Sequence, residues 1–202
     1  MLEVQRNRPD LISLSMKLDF ELATARLRCR PYKSADLCAL VDAVQSSVTA
    51  LSPWIGWCHG TYDQQDAHAW IQASRQNWRQ DLCYELALFE RRNDQLIGSV
   101  SLNHLSPTLN TAELGYWIRA SAQQQGYATE ACQAVIRFAF NTLGLTRLEI
   151  VTHADNLASQ HTALACQAKF ECTARNRIYQ HSTPCDGIVF SLIPEDIHPK
   201  RP

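Results

Sequence analysis

The sequence predicts one domain of the α+β (mixed α/β) class, and three observations predict it. Strand-like and helix-like stretches follow in the order strand, helices, three-strand meander, helix, strand, helix, two strands; antiparallel runs broken by helices belong to that class. The chain has 202 residues, 46% hydrophobic and 19% charged, an ordinary globular composition long enough to bury a sizeable core. Residues 113–134 read as an apolar, aromatic strand, a polar turn and a helix, and the rest of the chain is arranged around them.

Residues 25–30 alternate Ala-Arg-Leu-Arg-Cys-Arg and stop at Pro31, a first strand. Ser34 is placed to cap a helix that runs to about Gln45. Residues 51–60 hold two Trp, one Pro and two Gly, which suits a short helix and loop. Asp63 opens a helix to about Trp78, with Gln72, Arg75, Gln76 and Arg79 on its outer face. Residues 84–90 form a strand, 91–94 a hairpin turn, 95–105 the returning strand and 107–110 a second turn. Residues 112–119 are the central strand. From Gly126 onward Ala128, Ala131, Cys132, Val135, Ile136 and Ala139 recur at the spacing of a packed helix face. That helix runs to about Asn141, and Gly144 follows its end. Residues 147–152 are a clean β run, Asn156 or Ser159 opens a helix to about Gln167, and residues 170–179 and 187–192 make a last hairpin connected across 180–186. Residues 1–16 read as an extension before a single domain over 17–202.

A net charge of -1 gives no reason to expect nucleic acid or an anionic membrane as a partner. No stretch approaches the length of a membrane span, and the N-terminus makes a poor signal peptide. The eight cysteines have no paired spacing and read as reduced residues of a cytoplasmic protein. The seven histidines lack metal-ligand spacing, so no metal is expected. Monomer and homodimer both stay open.

The turn before the second helix is a candidate anion site. The first N–H groups of a helix lack internal partners, and its dipole favours negative charge there. Gly126 permits close approach, and Ala128 keeps the next turn free of bulk. The residues alone equally fit an ordinary connection.

Gln123 to Ala128 has the form Q-x-x-G-x-A, and A-E-L-G-Y-W-I precedes it. This resembles the acyl-CoA motif of the GNAT superfamily of N-acetyltransferases. T-E-A after the turn, D-N-L-A-S at residues 155–159 and F-S-L-I-P-E-D near the end resemble the ribosomal-protein (Rim-type) N-terminal acetyltransferase branch. The resemblance spans about residues 26–196. It implies a GNAT-like acyl-CoA N-acyltransferase fold, with a mostly antiparallel sheet whose central strands splay around the pantetheine arm. It also implies acetyl-CoA as co-substrate and direct transfer to a primary amine, either a protein N-terminus or a small amine.

Such a transfer needs a proton acceptor for the amine, a donor for the leaving thiolate, and alignment. The resemblance makes Glu113 the candidate base and Ser159 the candidate proton donor, with Asn156 on the cofactor arm. Gln123, Gln125, Gly126, Tyr127 and Ala128 would meet the pyrophosphate, and Trp117 and Ile118 would offer backbone to pantetheine. Trp54, Trp57 and His59 fall where a substrate-facing loop is expected, and Asp186 would meet a cationic acceptor. Each also has a plain structural reading: strand carboxylate, helix cap, core tryptophan, turn aspartate. No Tyr lies between Asp155 and Phe170, and no Glu lies between Asn176 and Gln180, where relatives carry catalytic groups. A non-catalytic acyl-CoA-binding module is therefore the alternative. A nucleotide-binding protein of another kind lacks any Gly fingerprint to support it.

Overall fold

The computed structural model describes residues 18–197, so the extension expected over residues 1–16 lies outside the described residues. The strands are β1 (Leu22–Ala23), β2 (Leu27–Arg30), β3 (Tyr84–Glu90), β4 (Leu96–Ser106), β5 (Thr111–Ile118), β6 (Arg147–His153), β7 (Lys169–Gln180) and β8 (Thr183–Leu192). The helices are α1 (Leu37–Gln45), α2 (Val48–Leu51), α3 (Gln64–Arg79), α4 (Tyr127–Asn141), α5 (Leu157–Ala165) and α6 (Pro194–Ile197). The described strands form one sheet in the order β1-β2-β3-β4-β5-β6-β8-β7. Every neighbouring pair is antiparallel except β5 with β6.

Strand alternation gives the sheet two apolar faces. Leu86, Leu102, Leu114 and Leu148 share one core with Ala131, Val135, Ile136 and Ala139 of α4. Ala87, Phe89, Leu96 and Trp117 share the other with Leu40 and Val44 of α1 and Ala67 and Ile71 of α3.

The parallel pairing is short. Thr111, Ala112 and Glu113 of β5 face Arg147, Leu148 and Glu149 of β6. Beyond that rung β5 runs on to Ile118 and β6 to His153 without pairing. The two strands splay, and α4 begins at the open end.

Three local expectations change. The first strand begins at Leu27, because the Thr24 hydroxyl accepts from the Leu27 N–H and turns the chain after β1. Ser34 caps nothing. It lies in a 3-10 turn, where the Asp36 carboxylate accepts from the Lys33 N–H at 2.7 Å and from the Arg30 guanidinium at 2.8 Å. A buried arginine needs that paired carboxylate more than the helix needs a serine cap. The last hairpin is tighter than expected. Its turn is His181-Ser182, with φ of 49° and 60°, the double left-handed turn that two-residue hairpins use. Neither residue is the Gly or Asn that normally announces it. Asp63 caps α3 as expected, its carboxylate accepting from the N–H groups of Gln65 and Asp66.

Two stability predictions arise here. A Cβ on Gly98 would lie 2.1 Å from the Trp117 carbonyl oxygen and 3.0 Å from the Ile118 Cα, both backbone atoms. Gly98→Ala must push β4 from β5 and is expected to cost about 3 kcal/mol, read as a lower urea midpoint with unchanged slope.

Glu85 sits 5% exposed on the α1–α3 side, with Ser99 donating to its carboxylate. Burial pushes its pKa up to about 7, against the hydrogen bonds from Ser99 and Ser101. A raised acid binds its proton more tightly folded than unfolded. Stability is therefore full below the unfolded value of 4.5 and falls as pH rises through about 7. Glu85→Gln is expected to remove that slope, with a difference on the order of 3 kcal/mol between pH 4 and pH 8.

Candidate active site

The splay between β5 and β6 opens into a cavity of about 850 Å³. Its walls come from β5, the end of β6, the turn into α4, the start of α5, the loop at Trp54 and the middle of β7. The Arg119 N–H donates to the Ile97 carbonyl at 2.8 Å, which sets the odd residues of β5 to bond β4. The backbones of Leu114, Tyr116 and Ile118 therefore face the gap, while Trp117, also at the cavity wall, turns its backbone to β4 and packs its ring in the α1–α3 core. The Ile118 carbonyl already accepts from the Gln123 amide at 2.9 Å.

At the turn, Gln124 has φ 59° and Gly126 has φ 78°. Gly126 is the N-cap residue of α4 and no side chain caps this helix. The N–H groups of the first turn are thus left for a ligand, and Gly126, Tyr127, Ala128 and Thr129 line the cavity. Gln123 and Gln124 also line it. The Gln125 amide instead donates to the Ser121 carbonyl, and its own carbonyl accepts from Arg26. The Tyr127 hydroxyl donates to Glu90, and Arg26 lies 4.3 Å from its ring centroid. No carboxylate stands among the cavity residues of this turn.

On the α4–α5 side, the Tyr116 hydroxyl lies 2.8 Å from Ser159 Oγ and 3.1 Å from the Ser159 carbonyl oxygen. Burial holds the Tyr116 pKa well above its usual value, so the phenol keeps its proton at neutral pH. Asn156 caps α5, its side-chain oxygen accepting from the Ser159 N–H at 3.1 Å. Cap and phenol together fix Ser159 at the cavity wall.

On the other side, Glu113 lines the cavity with its carboxylate engaged by Arg177 at 2.7 Å. Arg177 also reaches Glu149 at 3.7 Å. It crosses from β7 over β8 at Gly187, where a Cβ would come within 3.1 Å of the Arg177 Cβ. Asp186 stays out of the cavity. It accepts from the Asn176 N–H at 3.0 Å and braces the bulge from which Arg177 leaves β7. Trp54 lines the cavity and packs on His153 with ring centroids 5.9 Å apart. Trp57 packs on Trp70 and Trp117, away from the wall, and exposed His59 bonds Thr61.

The structure adds Tyr116, Gln124, His153, Arg177 and Ile178 to the wall. Alternation along β5 carried a signal for Tyr116. Gln124 lies inside the turn read from the sequence; His153, Arg177 and Ile178 depend on strand order and on a bulge, which no local pattern announces.

A family model described as an acetyltransferase (GNAT) domain matches residues 26–169. A solved Vibrio cholerae structure, provisionally named a ribosomal-protein-serine acetyltransferase, superposes with a TM-score of 0.81 at 42% identity, over 89% of this chain and 100% of that one. The Escherichia coli ribosomal-protein-serine acetyltransferase is 29% identical over 62% of this chain and 69% of its own length. An uncharacterized Bacillus subtilis N-acetyltransferase, YoaA, is 34% identical over 52% of this chain, and the match spans 59% of that relative's length.

Proposed function

Because the chain belongs to the acetyltransferase (GNAT) domain family, we propose that it binds acetyl-CoA in the β5–β6 cavity and passes the acetyl group to a primary amine. The observation that carries this reading is the splay itself, which leads from free strand backbone to an uncapped helix N-terminus. A long thin ligand with a pyrophosphate at one end suits those two features. With glutamines rather than arginines in the turn, the helix N–H groups supply most of the attraction for phosphate. The chain's eight cysteines, all free, suit the cytoplasm as the place where it acts.

The acceptor nitrogen attacks the thioester carbonyl carbon, a C–N bond forms and the C–S bond breaks. The sulfur leaves with its electron pair and takes a proton from the Ser159 hydroxyl. Tyr116 is placed to donate to Ser159 Oγ as it does so. The serine recovers a proton from water, and the nitrogen, once bonded to carbon, sheds its remaining excess proton to water. The acceptor we favour is the N-terminal amine of a protein beginning with serine. The names of the Vibrio cholerae and Escherichia coli relatives support it.

The test is to incubate the chain with acetyl-CoA and a serine-initiated peptide, and to follow peptide mass and free thiol. One acetyl gained per thiol released, absent with an N-terminally blocked peptide, is the expected result. The ion pair occupying Glu113 favours a second reading, an acyl-CoA-binding module without turnover. Binding of acetyl-CoA without thiol release for any amine offered would establish that one.

A further inference from the structure

Glu113 stands at the last rung of the β5–β6 ladder, opposite Glu149, with its carboxylate held by Arg177. His153 ends β6 four residues beyond Glu149, about 13 Å further along the strand. Had the ladder continued, it would have faced Trp117. The strands have instead parted, and His153 lines the cavity they enclose. We propose that His153, rather than Glu113, is the base that takes the proton of the acceptor amine. The inference rests on the acetyl-transfer reading.

The contacts around the ring select its basic nitrogen. The Gln180 amide nitrogen donates to the Ser52 carbonyl at 3.4 Å, which turns the amide oxygen to His153. That oxygen accepts from His153 Nε2–H at 2.5 Å. The lone pair is then on Nδ1, the arrangement a base requires. Trp54 holds one side of the ring. Cys185 Sγ lies 3.8 Å from both ring nitrogens and donates its proton to the Ile178 carbonyl at 3.7 Å.

The titratable groups nearby are Cys185 from β8, His181 at the β7–β8 turn, which touches Gln180, and exposed Asp155 two residues on, with His161 of α5 lining the same cavity. Arg177 and Glu113 belong to the same cavity but neutralise each other. Among the described residues no carboxylate forms an ion pair with His153, so no carboxylate stands between the ring and an incoming amine.

In the step, the acceptor ammonium gives its proton to Nδ1. The N–H bond breaks, its electron pair stays on nitrogen as the attacking lone pair, and the imidazolium later returns the proton to water. Glu113 and Arg177 then serve as a fixed strut across β6 and β8, and the acceptor meets an imidazole instead of a carboxylate.

The experiment compares the full chain with His153→Gln and Glu113→Gln. It follows thiol release from acetyl-CoA with a serine-initiated hexapeptide from pH 5.5 to 9, with acetyl-CoA affinity measured in parallel. Wild-type activity is required, and its absence would count against the acetyl-transfer reading itself. Given that activity, His153→Gln is expected to lower kcat/KM about 100-fold and abolish the acidic limb of the profile, with acetyl-CoA affinity kept within about twofold. Added imidazole is expected to restore activity to His153→Ala, which a purely structural role would not allow. The proposal is overturned if His153→Gln keeps the limb and stays within about threefold of wild type, or if Glu113→Gln is the variant that loses the limb.

Discussion

Gly126→Asp is expected to weaken acetyl-CoA binding about 100-fold while leaving the chain folded. Gly126 holds φ 78° at the N-cap of α4, and its place for a Cβ meets nothing nearer than Arg26 Nη2 at 3.4 Å. Aspartate is one of the few residues that tolerate left-handed backbone, at a cost of about 1 kcal/mol. A carboxylate there also suits the helix, since it can accept from the uncapped N–H groups and answers the dipole. The same carboxylate would take the donors that a pyrophosphate needs and repel it. Stability and binding should therefore separate: a melting temperature near wild type, and a dissociation constant raised by two orders of magnitude. Gly126→Asn keeps the shape without the charge and should lose only about tenfold. Equal losses in the two variants would show that charge at this helix end is irrelevant.

Ser159→Ala is expected to lower kcat about 100-fold, Tyr116→Phe about tenfold, and the double variant no further than Ser159→Ala alone. The two hydroxyls are 2.8 Å apart, and the phenol has no route to the sulfur in this account except through the serine. Removing the serine makes the tyrosine silent, so the cycle must be strongly non-additive. Asn156 bonds the Ser159 backbone rather than its side chain, so the cap continues to place residue 159 in both variants. Independent, additive losses would mean that Tyr116 and Ser159 act on different groups. Rates would be measured by thiol release at saturating acetyl-CoA, where loss of a proton donor appears in kcat rather than KM.

Most of the fold was legible in the sequence. β3 was read to its ends because the polar turn Arg91-Arg92-Asn93-Asp94 follows an apolar run, and α4 because Ala131, Cys132, Val135 and Ile136 repeat at helical spacing into one core. Asp63 carries a capping box and declared itself. What stayed hidden was set by distant contacts. Arg30 took Asp36, which displaced the cap expected of Ser34. The His181-Ser182 turn adopts left-handed backbone without Gly or Asn, so β7 and β8 run longer than their apolar patterns.

The candidate site divides in the same way. Gly126, Ala128 and the helix end are local features, visible in a six-residue turn. Ser159 was visible and alternation along β5 marked Tyr116, but the hydrogen bond that joins them across β5 and α5 was not visible. Arg177 reaches Glu113 only because β8 inserts between β6 and β7 and Gly187 leaves room, a consequence of strand order. His153 is one residue past the β run read from the sequence. Its place at the splay follows from a ladder that stops after three rungs.

The measurement that bears most directly on the central claim is calorimetric titration of the folded chain with acetyl-CoA, then with ATP and NAD. The account predicts saturable binding of acetyl-CoA, loss of that binding in Gly126→Asp, and no competition from the two nucleotides. A folded chain that releases no heat with acetyl-CoA, or one in which ATP or NAD displaces it, would contradict the assignment of the β5–β6 cavity.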